Sequence, residues 1–220
     1  MIKIKDSLTK EEMEAALQIY YYFFCKLYGL SFVGILPVQI EFTMHPKKWV
    51  NRHDSNLALA INAVRELNTR PEMKAIVVED EQGIEAIARI KIDSEYLTGI
   101  DQEYAAVNQN RGMSICDICF RDTNRNSQRD CATRIIETAE SFAKSSGRYQ
   151  DPLIEDSPVT MISLEIPKGD EDIWNIAHEL GYVATDELIK ESQRFRTILL
   201  EKNILKPEDQ IMRTREKGVN

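Results

Sequence analysis

Apolar residues recur through the N-terminal part of the chain with the period of an α-helix. In "LTKEEMEAALQIYYYFFCKLYG", Met13, Ala16, Leu17, Tyr20, Phe24, Leu27 and Tyr28 share one face at a spacing of about 3.6 residues. Thr9 and Glu12 have the spacing of a capping box, Leu8 and Met13 that of a hydrophobic staple, and Gly29 is the predicted stop. "IKIK" at 2–5 precedes this helix as a short strand. The aromatic run Tyr20 to Phe24 reads as helical core packing, with a ligand-stacking surface as the alternative.

A second helix is predicted in "SNLALAINAVRELNTRP", where Leu57, Ala60, Ile61, Val64 and Leu67 form a stripe that ends before Pro71. The period then changes to two. Ala75 to Val78 make one strand, Glu81 to Gly83 a turn, and Ile84, Ala86, Ala88, Ile90 and Ile92 alternate along the returning strand. "MSICDICF" at 113–120 is a third strand. After a loop through "RDTNRNSQRDCA", a helix over 132–146 carries Ile135, Ile136, Ala139, Phe142 and Ala143 inward and stops at Gly147. "ISLEIP" gives a further strand, 162–167, then a helix capped by Asp170 and closed by Leu180-Gly181-Tyr182. "VQIEF" at 38–42 alternates like a strand within an otherwise irregular 30–54. The segment 204–220 reads as a charged tail.

Composition narrows the function classes. The chain has 220 residues, 43% hydrophobic and 29% charged, which suits one domain with a real core. A formal net charge of -8 disfavours broad nucleic-acid binding, which needs clustered cations. No apolar run reaches the ~20 residues of a membrane span. The start, "MIKIKDSLTKEE", lacks the basic-then-apolar order of a signal peptide, so a cytoplasmic location is expected.

"CDIC" at 116–119 has redox or zinc spacing. In a regular strand, Cys116 and Cys119 point to opposite faces, and no second ligand pair lies nearby, so the expectation is structural packing and no metal. The three histidines, His45, His53 and His178, have no carboxylate spacing around them that suggests a metal site.

The order of elements, and the text of the second half, resembles the GNAT superfamily of N-acetyltransferases. "AIVVEDEQGIEAIARI" is similar to its second and third strands. "SICDICF" with "SQRDCATRIIETAESFAKSSG" is similar to its fourth strand, cofactor loop and third helix. "ISLEIPKGDEDIWNIAHELGYVATDE" is similar to its fifth strand, fourth helix and Leu-Gly-aromatic junction, and "RFRTILLEKNI" to the closing strand. The resemblance covers 74–203 in text and 1–73 by element order. It implies an α/β (α+β) fold over 1–203: a mixed, mostly antiparallel sheet with helices on both faces, and the strands at 113–120 and 162–167 parallel neighbours.

It also implies acetyl-CoA or another acyl-CoA as co-substrate and an amine acceptor as partner, with no membrane, no metal, and a homodimer as one arrangement. In the family an Arg/Gln-x-x-Gly-x-Gly/Ala loop holds the diphosphate of CoA at a helix N-terminus, where free amides and the helix dipole meet an anion. Here Ala132 falls on the final Gly/Ala, Asp130 on the middle glycine and Ser127 on the Arg/Gln; alternatively Arg125 is the motif arginine. The implied cofactor contacts are thus Arg125, Asn126, Ser127, Gln128, Arg129, Asp130, Cys131 and Ala132, with the Phe120 amide for the oxyanion. The other reading makes Ser127 and Asp130 simple helix caps.

Many family members carry a tyrosine four residues before the glycine of Leu-Gly-aromatic. That position is Ala177 here, and His178 beside it is turned by ~100° on a helix. Asp117, flanked by apolar residues on the fourth strand, is the candidate catalytic base, because a buried carboxylate with few partners holds its proton more tightly. Its alternative is a group that faces solvent or bonds a loop. Glu165 is a weaker candidate, and Tyr182 is expected in the core. The acceptor site falls on 30–54 and 94–112, where Glu95, Tyr96, Asp101, Glu103 and Tyr104 give an acidic, aromatic lining suited to a cationic amine. The expected activity is acyl-CoA-dependent N-acyl transfer to a small-molecule or protein amine, with a catalytically silent GNAT-like module as the alternative.

Overall fold

The computed structural model describes residues 1–28, 55–93, 111–121, 124–145, 159–184 and 197–204. Gly29, the strand at 38–42, most of the acceptor segment 94–112, Gly147 and the tail from 205 lie outside the described residues. The elements are β1 (Ile2–Lys5), α1 (Lys10–Tyr28), α2 (Ser55–Thr69), β2 (Met73–Asp80), β3 (Gly83–Asp93), β4 (Arg111–Phe120), α3 (Arg125–Ser145), β5 (Val159–Pro167), α4 (Glu171–Glu179) and β6 (Thr197–Asn203). The six strands form one sheet in the order β1-β2-β3-β4-β5-β6. All neighbours are antiparallel except β4 and β5, which are parallel because α3 returns the chain between them.

Each face of the sheet carries its own core. On one face Ile76, Ala88, Ile90, Ile115, Ile162 and Leu164 pack with Ile135, Ile136 and Ala139 of α3 and Ile173 and Ile176 of α4. On the other face Ala75, Val77 and Ile87 pack with Leu17, Tyr20 and Phe24 of α1 and Ala60, Val64 and Leu67 of α2. Most of the expected stripes are buried: Ala16, Leu17, Tyr20 and Phe24 of α1 and Ala60, Ile61, Val64 and Leu67 of α2, with Met13, Leu27 and Leu57 partly buried at their edge.

The start of α1 follows its sequence signature. Glu12 accepts from the Thr9 amide at 2.8 Å, while the Glu12 amide donates to Thr9 Oγ1 at 3.3 Å. Thr9→Ala should cost about 1 kcal/mol in a urea unfolding curve, the usual size of a lost cap.

The described sheet has three register shifts, at Glu85, Cys116 and Thr160, and the first two correct the simple alternation. Val78 pairs with Ala86 but Glu79 pairs with Ile84, so Glu85 is an extra residue in β3. Ile84 consequently joins the α1–α2 core, apart from Ala86, Ala88, Ile90 and Ile92. The second bulge is on β4: Arg89 pairs with Asp117 and Ile90 with Ile115, which leaves Cys116 unmatched. It turns Asp117 and Cys119 toward α1 and Ile115 and Ile118 toward α3.

Helix α3 is also longer than predicted. It begins at Arg125 rather than 132, with Asn124 as its cap: the Asn126 amide donates to Asn124 Oδ1 and the Gln128 amide to Asn124 O, both at 3.0 Å. Its first two turns are largely exposed, so the apolar period that marks a helix starts only at Cys131 and Ala132.

Candidate active site

The parallel pair β4–β5 is short. It runs from Arg111↔Val159 to Ile115↔Leu164, and beyond that point the bulge at Cys116 carries β4 away from β5. Residues 116–120 and 165–167 thus border a wedge in the middle of the sheet. β4 keeps its bonds to β3 here: the Arg121 amide donates to Glu85 O at 2.8 Å. By the alternation of a strand, the amides of Phe120 and Ile118 point the other way, into the wedge.

A cavity of ≈ 900 Å³ opens at this place, within the range of small-molecule and cofactor sites. It is lined by Ile118 and Phe120 of β4, Arg125 and Gln128 of α3, Tyr22, Phe23, Lys26 and Leu27 of α1, and the turn from Pro167 to Asp172. That turn is sharp because Gly169 sits at φ 85, a backbone region costly for residues with a Cβ. Asp170 caps α4, accepting from the Ile173 amide at 3.3 Å.

The sequence-predicted residues do not all meet at this cavity. Phe120, Arg125 and Gln128 line it. Asn126 and Ser127 lie in the first turn of α3, where Ser127 Oγ donates to Glu85. Arg129 is held by Glu179 of α4, with contacts of 2.9 and 3.0 Å. Asp130 is exposed, 3.7 Å from Arg134. Cys131 and Ala132 are buried in the α3 core, and burial, with Glu85 nearby, pushes the Cys131 thiol up to about 11. From Gln128 onward the amides bond within the helix and are unavailable to an anion.

Asp117 is buried but not short of partners. Its Oδ1 accepts from the Tyr20 hydroxyl at 3.1 Å and the Arg89 amide at 3.2 Å, and its Oδ2 from Arg89 Nε at 2.6 Å. Arg89 Nη2 lies 2.6 Å from the same Oδ2, and Nη1 reaches Glu66 of α2 at 2.7 Å. Burial opposes the Arg89 charge, but Asp117 and Tyr20 beside it more than offset this and raise its pKa. Burial, then the Asp117 charge, pushes the Tyr20 hydroxyl well up. The premise of a carboxylate with few partners is thus corrected: Asp117 ties α1, β3 and α2 together on the face opposite Ile118. Glu165 is exposed and accepts from Thr197 at 2.7 Å.

Ala177, where the family's tyrosine would stand, is fully buried against the α3–α4 core, and Tyr182 is in the core as expected. All four cysteines are free thiols; burial pushes Cys119 well up, and the described residues contain no group that could hold a metal.

No family model matches the sequence, and no curated protein does. Solved structures do match in shape. Arabidopsis thaliana NAA60 in complex with a bisubstrate analogue superposes with a TM-score of 0.53 at 11% identity, over 92% of this chain and 98% of that one. Aminoglycoside 6'-acetyltransferase type Ii gives 0.51 at 13%, over 94% and 98%. A probable acetyltransferase gives 0.51 at 11%, over 85% and 92%. The fold is that of the GNAT acetyltransferases.

Within the GNAT fold, two cavity-lining segments are not assigned to the site by sequence reasoning. Tyr22 and Phe23 belong to the aromatic run that reads as helical core packing, with ligand stacking as its alternative, Leu27 belongs to the apolar stripe, and Lys168 to Asp172 read as a polar break with a helix cap. The spacing of three between Ile115 and Ile118 was the available signal for the β4 bulge, since strict alternation would separate them. Asn124 was the available signal for the true start of α3.

Proposed function

We propose that this chain is an acyl-CoA-dependent N-acyltransferase that uses acetyl-CoA or another acyl-CoA and acts on a primary amine of a small molecule or protein. The observation that carries this reading is the wedge: a stretch of β4 unpaired on its β5 side, whose Phe120 and Ile118 amides face a cavity at the first turn of α3. An extended thioester arm laid there would meet strand donors on one side, as an added strand does. The Phe120 amide would lie at the developing oxyanion as the amine nitrogen adds to the thioester carbonyl. The C–S bond then breaks, the thiolate takes a proton, and the nitrogen loses one. With Asp117 turned toward α1 and Ala177 in place of an acid, both protons pass through water, and the protein contributes positioning and the oxyanion donor.

A second reading has its own observation. Because Asp117 is fully bonded and Ala177 is buried, a module that binds acyl-CoA without turning it over is the alternative. Titration with acetyl-CoA by calorimetry, followed by thiol release with a panel of amines, separates the two. Release above the amine-free background supports the enzyme; tight binding with no release across the panel replaces it with the module. No binding of any acyl-CoA defeats both.

Asp117→Asn distinguishes the roles of that residue. If Asp117 acts by holding β4, the variant lowers Tm and turnover but leaves the shape of the pH–rate profile unchanged. Loss of the acidic limb, where a general base becomes protonated and inactive, would restore Asp117 as the base.

A further inference from the structure

Three elements distant in sequence bring cations to the cavity: Lys26 from the last turn of α1, Arg125 from the first turn of α3, and Lys168 from the turn after β5. Among the described residues neither lysine has an ion-pair partner. Arg125, 86% exposed, has Asp172 at 3.8 Å. The same cavity carries Asp170, Glu171 and Asp172. Asp170 is committed to the Ile173 amide and Asp172 faces Arg125, which leaves Glu171 as the acid with no partner among the described residues. The uncommitted side chains are therefore two cations against one anion.

The N-terminus of α3 offers an anion little by comparison. Its Asn126 amide is taken by the Asn124 side chain and its Gln128 amide by the Asn124 carbonyl. Ser127 gives its hydroxyl to Glu85, whose carboxylate stands beside this turn because the β3 bulge puts it there. The turn has no glycine to let a phosphate approach the backbone.

We infer that Lys26 and Lys168, with Arg125, form the phosphate-binding subsite of the cavity, so that side-chain charge replaces the amides of the helix terminus. The inference rests on the acyl-CoA reading and names the residues that would set affinity for the phosphorylated part of the carrier. Ammonium groups act on phosphate as point charges and tolerate variable geometry, whereas a cradle of amides requires one backbone path. Binding through them depends on ionic strength, because exposed charges are screened within ~10 Å at 0.1 M salt.

Calorimetric titration of CoA and of pantetheine, which lacks the phosphates, tests this on the full chain. Wild type, Lys26→Ala, Lys168→Ala, the double variant and the control Lys144→Ala are compared at low and high salt. Each single variant should weaken CoA by roughly 10-fold and the double by ~100-fold, with a smaller salt dependence, the size expected for charge-assisted contacts. Pantetheine affinity should be the same in all five proteins. A double variant that binds CoA within about 2-fold of wild type overturns the inference while leaving the acyl-CoA reading intact. Equal loss of CoA and pantetheine overturns it too, since that reports a collapsed cavity. A wild-type protein that binds neither compound fails the acyl-CoA reading itself.

Discussion

Arg89→Met should destabilise the protein by about 3–5 kcal/mol, the cost of stranding a buried carboxylate when its partner is removed. Asp117 is 3% exposed and receives Arg89 through two guanidinium nitrogens, so water cannot replace the lost bonds. For a chain of this size the change corresponds to a fall in Tm of roughly 6–20 °C. Adding Asp117→Asn in the Arg89→Met background should recover part of the loss, because a neutral amide is cheaper to bury than a charge. Thermal unfolding of the single and the double variant decides. A single variant within 1 kcal/mol of wild type (~1 is the scale of one neutral hydrogen bond) would mean that the pair does not hold α1, β3 and β4 together.

Phe120→Pro should lower turnover by about 10²–10³-fold while the sheet stays intact, the loss seen when one oxyanion donor is removed. Proline deletes the amide and keeps the chain extended. It is tolerated where the amide faces away from a strand neighbour, as the Phe120 amide faces away from β3. Phe120→Ala is the control, since it removes the ring and keeps the donor. Equal activity of the two variants would show that the ring matters and the amide does not.

The architecture was legible because its signals are local. The period of α1 and α2, the alternation of Ala86, Ala88, Ile90 and Ile92 along β3, the Thr9–Glu12 box and the Asp170 cap each lie within a few residues, and each appears in the structure. The parallel β4–β5 pair followed from a helix between two strands. Departures came where non-local geometry decides. Asp117 looks underpartnered in the sequence because Tyr20 lies 97 residues away and Arg89 28 residues away, and because one extra residue at Cys116 reverses which face it takes. The start of α3 is invisible to periodicity because helical turns exposed on nearly all sides carry no apolar period. Lys26 and Lys168 went unnoticed because a lysine at a helix end or in a turn reads as a solvated charge; only the fold brings them to one cavity.

The strands lie side by side in the order in which the chain makes them. A cut between β4 and β5 therefore separates two ribbons, one from β1 to β4 and one from β5 to β6, with a single seam of five paired positions from Arg111 to Ile115. Among the described residues that seam is the only sheet joint between the halves, and it is where the wedge opens. A molecule lying in the wedge would extend the seam with its own hydrogen bonds and become part of the sheet's continuity. Occupancy and mechanical integrity are then one property: at 100 times Kd a ligand adds about 2.7 kcal/mol, and here that gain would be concentrated on the line along which the protein divides.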